Sequence, residues 1–99
     1  MIKEIARIEI DPTKAAAFEA AVAQAEPLFR AAAGCHSFTL ERAVDRPGHY
    51  LLVVGWDSVD AHIVDSRGSY DFQAWRALAG PFFIAPPDVF HVETAVDGF

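Results

Sequence analysis

Cysteine and positive charge are both scarce in this sequence, and each shortage excludes a class of protein. The only cysteine, Cys35, cannot form an internal disulfide, and no Cys and His spacing resembles a zinc site. A disulfide scaffold and a structural metal are therefore not expected, and a reducing cytoplasm is the expected compartment. Eight Lys and Arg face fourteen Asp and Glu, and the net charge of −6 has the wrong sign for binding nucleic acid or an anionic membrane.

Long apolar runs are missing as well. No segment approaches the length of a membrane span, and Lys3, Glu4 and Arg7 interrupt the start of the chain, where a signal peptide would be continuously apolar. Apolar residues are nevertheless abundant, at 53% against 22% charged, so a disordered chain is excluded. With 99 residues, the chain is expected to form a single domain over residues 1–99, with a core over about residues 2–96.

The first third of the chain predicts a strand followed by a helix. Residues 2–10 alternate in part, with Ala6, Ile8 and Ile10 on one face, as in a half-buried strand. Asp11-Pro12 is a typical helix start, because Asp caps free amides and Pro fits the first turn. Pro27 lies inside the helical pattern and predicts a kink or restart, and Gly34 predicts its end. The expected buried face carries Phe18, Val22, Ala25, Phe29 and Ala32.

The remaining two thirds predict a hairpin, two helices and a last strand. Residues 37–43 and 50–56 flank a turn-rich cluster and read as two antiparallel strands. Asp57-Ser58 can cap a short helix through Asp65, and Ser69 can cap another that carries Phe72, Trp75 and Ala79. Gly80-Pro81 ends that helix, and residues 89–96 form the last strand.

This order of elements, βαββαβ, predicts an α+β, ferredoxin-like fold with a four-stranded antiparallel sheet and helices on one face. The four consecutive apolar residues Leu51, Leu52, Val53 and Val54 indicate a strand that is shielded from water on both faces. A second copy of the same sheet is the simplest symmetric cover for the face without helices, so we expect a homodimer through the sheet faces. The alternative is that a loop covers the outer side of this strand.

Three short motifs resemble the antibiotic biosynthesis monooxygenase (ABM) domain family. They are Gly34-Cys35 before a strand, Trp56-Asp57-Ser58 after the third strand, and Phe72-Gln73-Ala74-Trp75-Arg76 in the last helix. The resemblance spans about residues 2–96. It implies a dimeric α/β barrel with ferredoxin-like protomers, each holding a cavity between sheet and helices for a flat organic molecule.

The family contains cofactor-free monooxygenases of aromatic polyketides, quinol-oxidising enzymes and haem-degrading enzymes. The haem branch carries an Asn, a Trp and an iron-ligating His at the positions of Ala6, Asp65 and Arg76. A permanently charged Arg cannot ligate iron. The resemblance therefore argues against haem degradation, unless His62 or His91 replaces the ligand. Many other members carry a His where this chain has Asp65.

A cofactor-free oxygenase needs a base that deprotonates its substrate in a dry pocket, and histidine has the most suitable pKa. His62 and Asp65 are three residues apart on one helix, so the carboxylate could orient the imidazole. The alternative is a pair of surface residues. His91 alternates away from Phe90 and Val92 and could point into the cavity, or be a packed core or interface residue. His36 and His49 are expected on the surface.

Aromatic residues concentrate around the end of the last helix. Trp75, Phe82 and Phe83 could stack on a planar ligand while Arg76 holds a phenolate or carboxylate. Core packing is the alternative, and helical spacing favours it for Trp75 and Phe72. Cys35 has no neighbouring base or cation in sequence and is assigned no reactive role.

The resulting hypothesis is a dimeric ABM-type oxidoreductase, acting on an aromatic, phenolic or quinone-like small molecule without a bound metal or flavin. Its catalytic candidates are His62, Asp65 and His91. The alternative is a non-catalytic dimer that binds a small hydrophobic ligand or serves a structural role. A filled interior would favour the structural role, whereas an open cavity with His62 or His91 at its wall would favour catalysis or binding.

Overall fold

The computed structural model describes residues 1–66 and 70–99, with side chains in residues 1–63 and 71–99. Its elements follow the predicted βαββαβ order, and the four strands form one antiparallel sheet in the order β2-β3-β1-β4. The ferredoxin-like α+β fold is therefore confirmed. The predicted cap Ser69 lies outside the described residues. The elements are β1 (Ile2–Glu9), α1 (Ala15–Arg30), β2 (Cys35–Arg42), β3 (His49–Trp56), α2 (Tyr70–Ala79) and β4 (Asp88–Val92).

Strand β1 lies in the centre of the sheet, between β3 and β4. Its alternation buries Glu4, Ala6 and Ile8 on the inner face, which the helices cover, with exposures of 6%, 4% and 3%. Ile5 lies on the outer face and is directly opposite Val53 of β3 and Phe90 of β4. The central strand therefore carries an apolar inner face that begins with a buried carboxylate.

Helix α1 covers the inner face with three of the five residues that its periodicity predicts, whereas Phe29 is half-buried and Ala32 lies beyond the end of the helix. Asp11 accepts a hydrogen bond from the backbone amide of Thr13 at 2.9 Å, and Phe18, Val22 and Ala25 are buried. The helix continues through Pro27 to Arg30 without a restart. Because Pro27 lies in the last turn, few helical hydrogen bonds follow it and the helix tolerates its missing amide.

Aromatic contacts join α1 to the sheet and to α2. The ring of Phe29 lies 4.6 Å from that of Phe38 and meets Trp75 of α2 edge-on at 5.3 Å. The Phe18 ring contacts Tyr50 at 4.9 Å and Phe82 at 5.7 Å. Such tilted and edge-on pairs stabilise a core beyond simple burial of area, and they fix the orientation of the Trp75 ring.

Two further elements differ from the sequence prediction. The segment after β3 begins where Ser58 Oγ accepts the amide of Ala61, as predicted, but it is π-helical over Ala61–Ser66. Strand β4 ends at Val92 rather than at Val96. Val92 is already opposite Lys3, and β1 begins at Ile2, so β4 has almost no further partner strand. In the described part of the chain, no helix is long and apolar enough to cross a membrane.

Glu19 connects α1 to two strands, and this contact gives a pH prediction. It accepts two hydrogen bonds from Arg42, at 2.7 and 2.9 Å, and one from the Tyr50 hydroxyl at 2.7 Å. These bonds, that of Arg42 foremost, lower the pKa of Glu19 to about 2. A lowered carboxyl pKa contributes stability above the unfolded pKa of 4.5, and the contribution is lost as pH falls towards 2.

Glu19→Gln is therefore expected to lower Tm by roughly 4 °C at pH 7. The difference in Tm between Glu19→Gln and the wild type should shrink steadily as pH falls from 4.5 to about 2, where Glu19 itself becomes protonated. Thermal unfolding followed by circular dichroism across this range measures both effects. Glu41→Gln, on the exposed part of β2, is the matched control and should leave Tm unchanged. An equal decrease in Tm for Glu19→Gln at pH 2 and at pH 7 would contradict the lowered pKa of Glu19.

Candidate active site

A cavity of about 660 Å³ lies between the inner face of the sheet and α2. This volume is within the range of about 300–1,000 Å³ that is typical of small-molecule sites. Its wall is mostly apolar and aromatic, with three charged or titratable side chains. The lining residues are Glu4, Ala6, Ile8, Leu52, His62, Phe72, Trp75, Arg76, Gly80, Phe83, Pro87 and Val89.

Three titratable side chains form a connected chain at one side of this cavity. His62 Nε2 lies 3.2 Å from Glu4 Oε1, and His62 Nδ1 lies 2.8 Å from Nε2 of His91. Glu4 and His62 are buried, at 6% and 4% exposure, whereas His91 is half-buried. The three residues, called the Glu-His-His chain below, therefore connect a buried cavity wall to a side chain that reaches solvent.

Trp56 completes the surroundings of this chain. Its indole Nε1–H donates a hydrogen bond to Glu4 Oε1 at 3.0 Å, and its ring stacks on that of His62 with centroids 5.2 Å apart and planes 19° apart. Trp56 is fully buried. One buried indole therefore fixes both the carboxylate and the imidazole, which leaves the pair little freedom to rotate.

The local fold explains why these distant residues meet. Glu4 and His91 are directly opposite each other in the pairing of β1 with β4, and both lie on the inner face. The π-helical segment brings His62 over them. It is held close to β2 at Gly34, whose backbone has φ +79° and where an added Cβ would lie 2.9 Å from Cβ of Ala61. Any other residue at Gly34 would push this segment, and His62 with it, away.

The hydrogen bonds define how protons can be distributed along the chain. An ionised carboxylate only accepts, so the proton between Glu4 and His62 belongs on His62 Nε2. When His62 is neutral, its Nδ1 accepts a hydrogen bond from His91 Nε2–H. When His62 is protonated, its Nδ1–H donates a hydrogen bond to His91 Nε2. Because each change of state needs only a proton shift along an existing bond, the Glu-His-His chain can pass protons between the cavity wall and the surface.

The structure separates the residues that the sequence analysis had grouped as candidates. His62 lies on the cavity wall, and His91 lies on the inner face, beside His62 rather than on the wall. Trp75, Arg76 and Phe83 line the cavity. Phe82 is not among the lining residues, because its ring packs against Phe18 in the core.

Asp65 was expected to orient His62. Its side chain lies outside the described residues, and the carboxylate found beside His62 is that of Glu4. His36 and His49 lie at the surface as expected, with side chains 45% exposed, and pair with Asp57 and Glu9 respectively. Neither of these two histidines lines the cavity.

Sequence reasoning missed Glu4 and Trp56 as site residues. Glu4 is two residues before Ala6, so strand alternation alone places it on the buried face. A carboxylate at a buried position needs a partner, and this was the available signal. The sequence does not predict which residue is the partner of Glu4, because His62 and His91 are 58 and 87 residues further along the chain.

A second cavity, of about 410 Å³, opens near the turn between β2 and β3. Its charged lining residues, which include Arg7, Glu41, Arg46 and Asp88, are all exposed or half-buried. It has no buried carboxylate or histidine like Glu4 and His62 of the first cavity, which remains the candidate active site.

Comparison with known proteins supports the fold and decides the family. The family model described as antibiotic biosynthesis monooxygenase matches residues 1–78. The chain belongs to this family. As an ABM protein, it is 31% identical over 93 residues to the uncharacterized protein YczJ of Bacillus subtilis, covering 94% of this chain and 98% of that one.

Solved structures of similar proteins give the same result. A crystal structure from Bordetella bronchiseptica, named as a candidate antibiotic biosynthesis monooxygenase, is 50% identical with a TM-score of 0.93, covering 96% of this ABM chain and 97% of that one. A similarly named structure from Caulobacter crescentus is 25% identical with a TM-score of 0.81, covering 96% and 90%. The sequence-based assignment to the ABM family is confirmed.

The cavity does not fit the haem chemistry found in one branch of the family. Ala6 and Arg76 are both lining residues, and Arg76 has no lone pair for iron. His62 uses both ring nitrogens in contacts with Glu4 and His91, and His91 is not on the wall. None of these side chains therefore offers a free donor atom for iron inside the cavity.

Proposed function

We propose that this cavity is the active site of a cofactor-independent monooxygenase or oxidoreductase acting on an aromatic, phenolic or quinone-like small molecule. Family membership supports monooxygenase chemistry in general. The observation that carries the proposal is the Glu-His-His chain, whose Glu4 and His62 lie on the wall of a cavity with aromatic lining. Burying a carboxylate and an imidazole costs desolvation free energy, and such buried pairs concentrate at functional sites.

The proposed first step is removal of a proton from a phenolic or enolic hydroxyl. Glu4 and His62 are the two acid-base groups on the wall, and they act as one coupled base because they share a contact of 3.2 Å. The Glu4-His62 pair holds this proton, and His91 connects the pair to solvent through His62 Nδ1. The substrate anion that remains is electron-rich enough to reduce oxygen directly.

The oxidation balances without any further reductant. At an activated ring CH₂, the substrate anion and O₂ form a carbon-oxygen bond and a peroxide, which takes up the proton held by the base. Loss of the second C–H proton, together with hydroxide, breaks the O–O bond and leaves a ketone and water. For a quinol, two electrons and two protons pass to O₂ instead, giving quinone and hydrogen peroxide.

A non-catalytic binding protein of the same fold is the second candidate. The open cavity of about 660 Å³ favours catalysis or ligand binding over a purely structural role. A binding site for an apolar ligand would not need a buried proton pathway, and the Glu-His-His chain provides one. The geometry therefore favours catalysis.

We also propose that the protein is a homodimer joined through its outer sheet faces. Both helices cover the inner face, so the outer face carries Ile5 and Val53, half-buried, and Leu51, Phe90 and Val92, which are 37–40% exposed. A contiguous apolar patch of this kind favours association with a matching surface, and a two-fold axis supplies one. The cytoplasm remains the proposed compartment, in keeping with the free Cys35.

Oxygen uptake tests the proposed activity. Purified protein is incubated aerobically with a panel of phenols, naphthols and quinols, and oxygen consumption is followed with an electrode. At least one compound should give catalytic uptake above a heat-denatured control, with a ketone, quinone or peroxide detected in the expected ratio to oxygen. If no compound gives uptake while several bind the cavity by calorimetry, the binding-protein candidate replaces the enzyme.

A further inference from the structure

We propose that the cavity selects an aromatic acid, whose carboxylate binds Arg76 at the mouth while its ring system extends towards Glu4 and His62. This inference deepens the proposed function. It rests on that function only for the claim that the end of the molecule near Glu4 and His62 carries the hydroxyl that reacts. The binding claim itself depends on the distribution of charge and exposure around the cavity.

The charged side chains of the cavity lie at different depths. Arg76 is exposed and at the same time lines the cavity, which places its guanidinium at the mouth. Glu4 and His62 are 6% and 4% exposed and lie at the floor. A ligand that spans the cavity therefore meets a permanent cation at one end and an acid-base pair at the other.

Arg76 is available for an incoming anion. Arg30 and Arg42 are each paired with a glutamate on a neighbouring turn or element, Glu26 and Glu19. Among the residues that the structure describes, no such ion pair includes Arg76. An arginine on an apolar and aromatic wall can bind a carboxylate with two parallel hydrogen bonds.

Glu4 determines the orientation of such a ligand. A carboxylate that entered first would approach the buried Glu4 at low effective dielectric, where like charges repel strongly. The same group at the mouth is attracted by Arg76 and remains partly in water. The acidic end therefore stays outside, and the other end of the molecule faces Glu4 and His62.

The cavity also limits the size and shape of the ligand. A dry cavity of about 150 Å³ holds one benzene molecule, so about 660 Å³ leaves room for two or three fused rings in a half-open site. Phe72, Trp75 and Phe83 form the aromatic part of the wall, and the edge-on contact with Phe29 at 5.3 Å fixes the Trp75 ring. A flat, fused aromatic acid matches these walls.

Calorimetric titration with 2-naphthoate and with its neutral analogue 2-naphthamide tests this inference. At low ionic strength, the wild type should bind the acid roughly 10- to 100-fold more tightly than the amide. Arg76→Gln should remove this preference by weakening the binding of the acid and not that of the amide. Arg76→Lys should retain part of the preference. Arg46→Gln, an exposed arginine outside this cavity, is the matched control and should not change either affinity.

Equal affinity of the wild type for acid and amide would overturn the inference. An equal loss of acid binding in Arg76→Gln and Arg46→Gln would overturn it as well, since it would indicate binding by overall charge. The readout is independent of turnover. If the acid preference is found but no compound gives oxygen uptake, the proposed oxidation fails while the anion site remains.

Discussion

Glu4→Gln is expected to lower kcat for oxygen consumption by roughly 100- to 10,000-fold, the usual contribution of a general base. The amide keeps the size of the side chain and can still accept the Trp56 hydrogen bond at 3.0 Å. It cannot accept a proton or stabilise a positive charge on His62. His62→Gln should cause a loss of similar size, because both residues act as one base.

The kinetic pattern distinguishes a coupled base from two independent groups. The Glu4→Gln, His62→Gln double variant should be little slower than either single variant, since removing either member disables the pair. His91→Gln should reduce kcat about tenfold and alter its pH profile, because proton exchange between the Glu4-His62 pair and solvent is slowed rather than abolished. Steady-state oxygen uptake between pH 5 and 9 gives these values.

The matched control is His36→Gln, which removes a surface histidine that pairs with Asp57; neither residue lines the cavity. Its activity should equal that of the wild type. Circular dichroism establishes that each variant is folded, so that a loss of rate is not a loss of protein. More than half of the wild-type activity in Glu4→Gln would contradict the assignment of the base.

Val53→Glu is expected to convert the proposed dimer into a monomer, weakening self-association by at least about 100-fold. Val53 lies on the outer face of β3, directly opposite Ile5. A two-fold axis would bury two new carboxylates without partners in one interface, and an unpaired buried charge costs several kcal/mol. The isolated protomer should tolerate the change, because this residue is only half-buried there.

Sedimentation equilibrium or light scattering at micromolar concentration measures the effect. The wild type should have twice the chain mass of 10.8 kDa, and Val53→Glu should have the mass of one chain. Val44→Glu makes the same chemical change at a residue that is 99% exposed and outside the sheet, and should remain dimeric. A wild type that is monomeric at these concentrations would contradict the proposed interface.

The fold could be predicted largely from local patterns. The alternation of Ala6, Ile8 and Ile10 and the helical spacing of Phe18, Val22 and Ala25 correctly identified the buried faces. Such periodicities depend only on neighbouring residues and on the geometry of a strand or helix. The predicted end of β4 is wrong because a strand ends where its partner strand ends. The point at which β1 stops pairing with β4 cannot be predicted from residues 89–96 alone.

The candidate site could be predicted only in part. His62, His91, Trp75, Arg76 and Phe83 were recognised by residue type, whereas Phe82 was placed in the same group and packs in the core. Residue type indicates which chemistry a side chain can perform. It does not indicate whether an aromatic ring faces a cavity or another ring, because that depends on the helix packed above it.

By itself, the sequence determined which residues alternate inward and which side chains can carry charge or protons, because these depend on spacing and chemical identity. Only the tertiary structure decided that the carboxylate beside His62 is that of Glu4, with His91 on the other side of the imidazole. The antiparallel pairing of β1 with β4 brings Glu4 opposite His91, and the π-helical turn sets His62 over them. Contacts between residues so far apart along the chain are fixed by topology and packing, which no local pattern encodes.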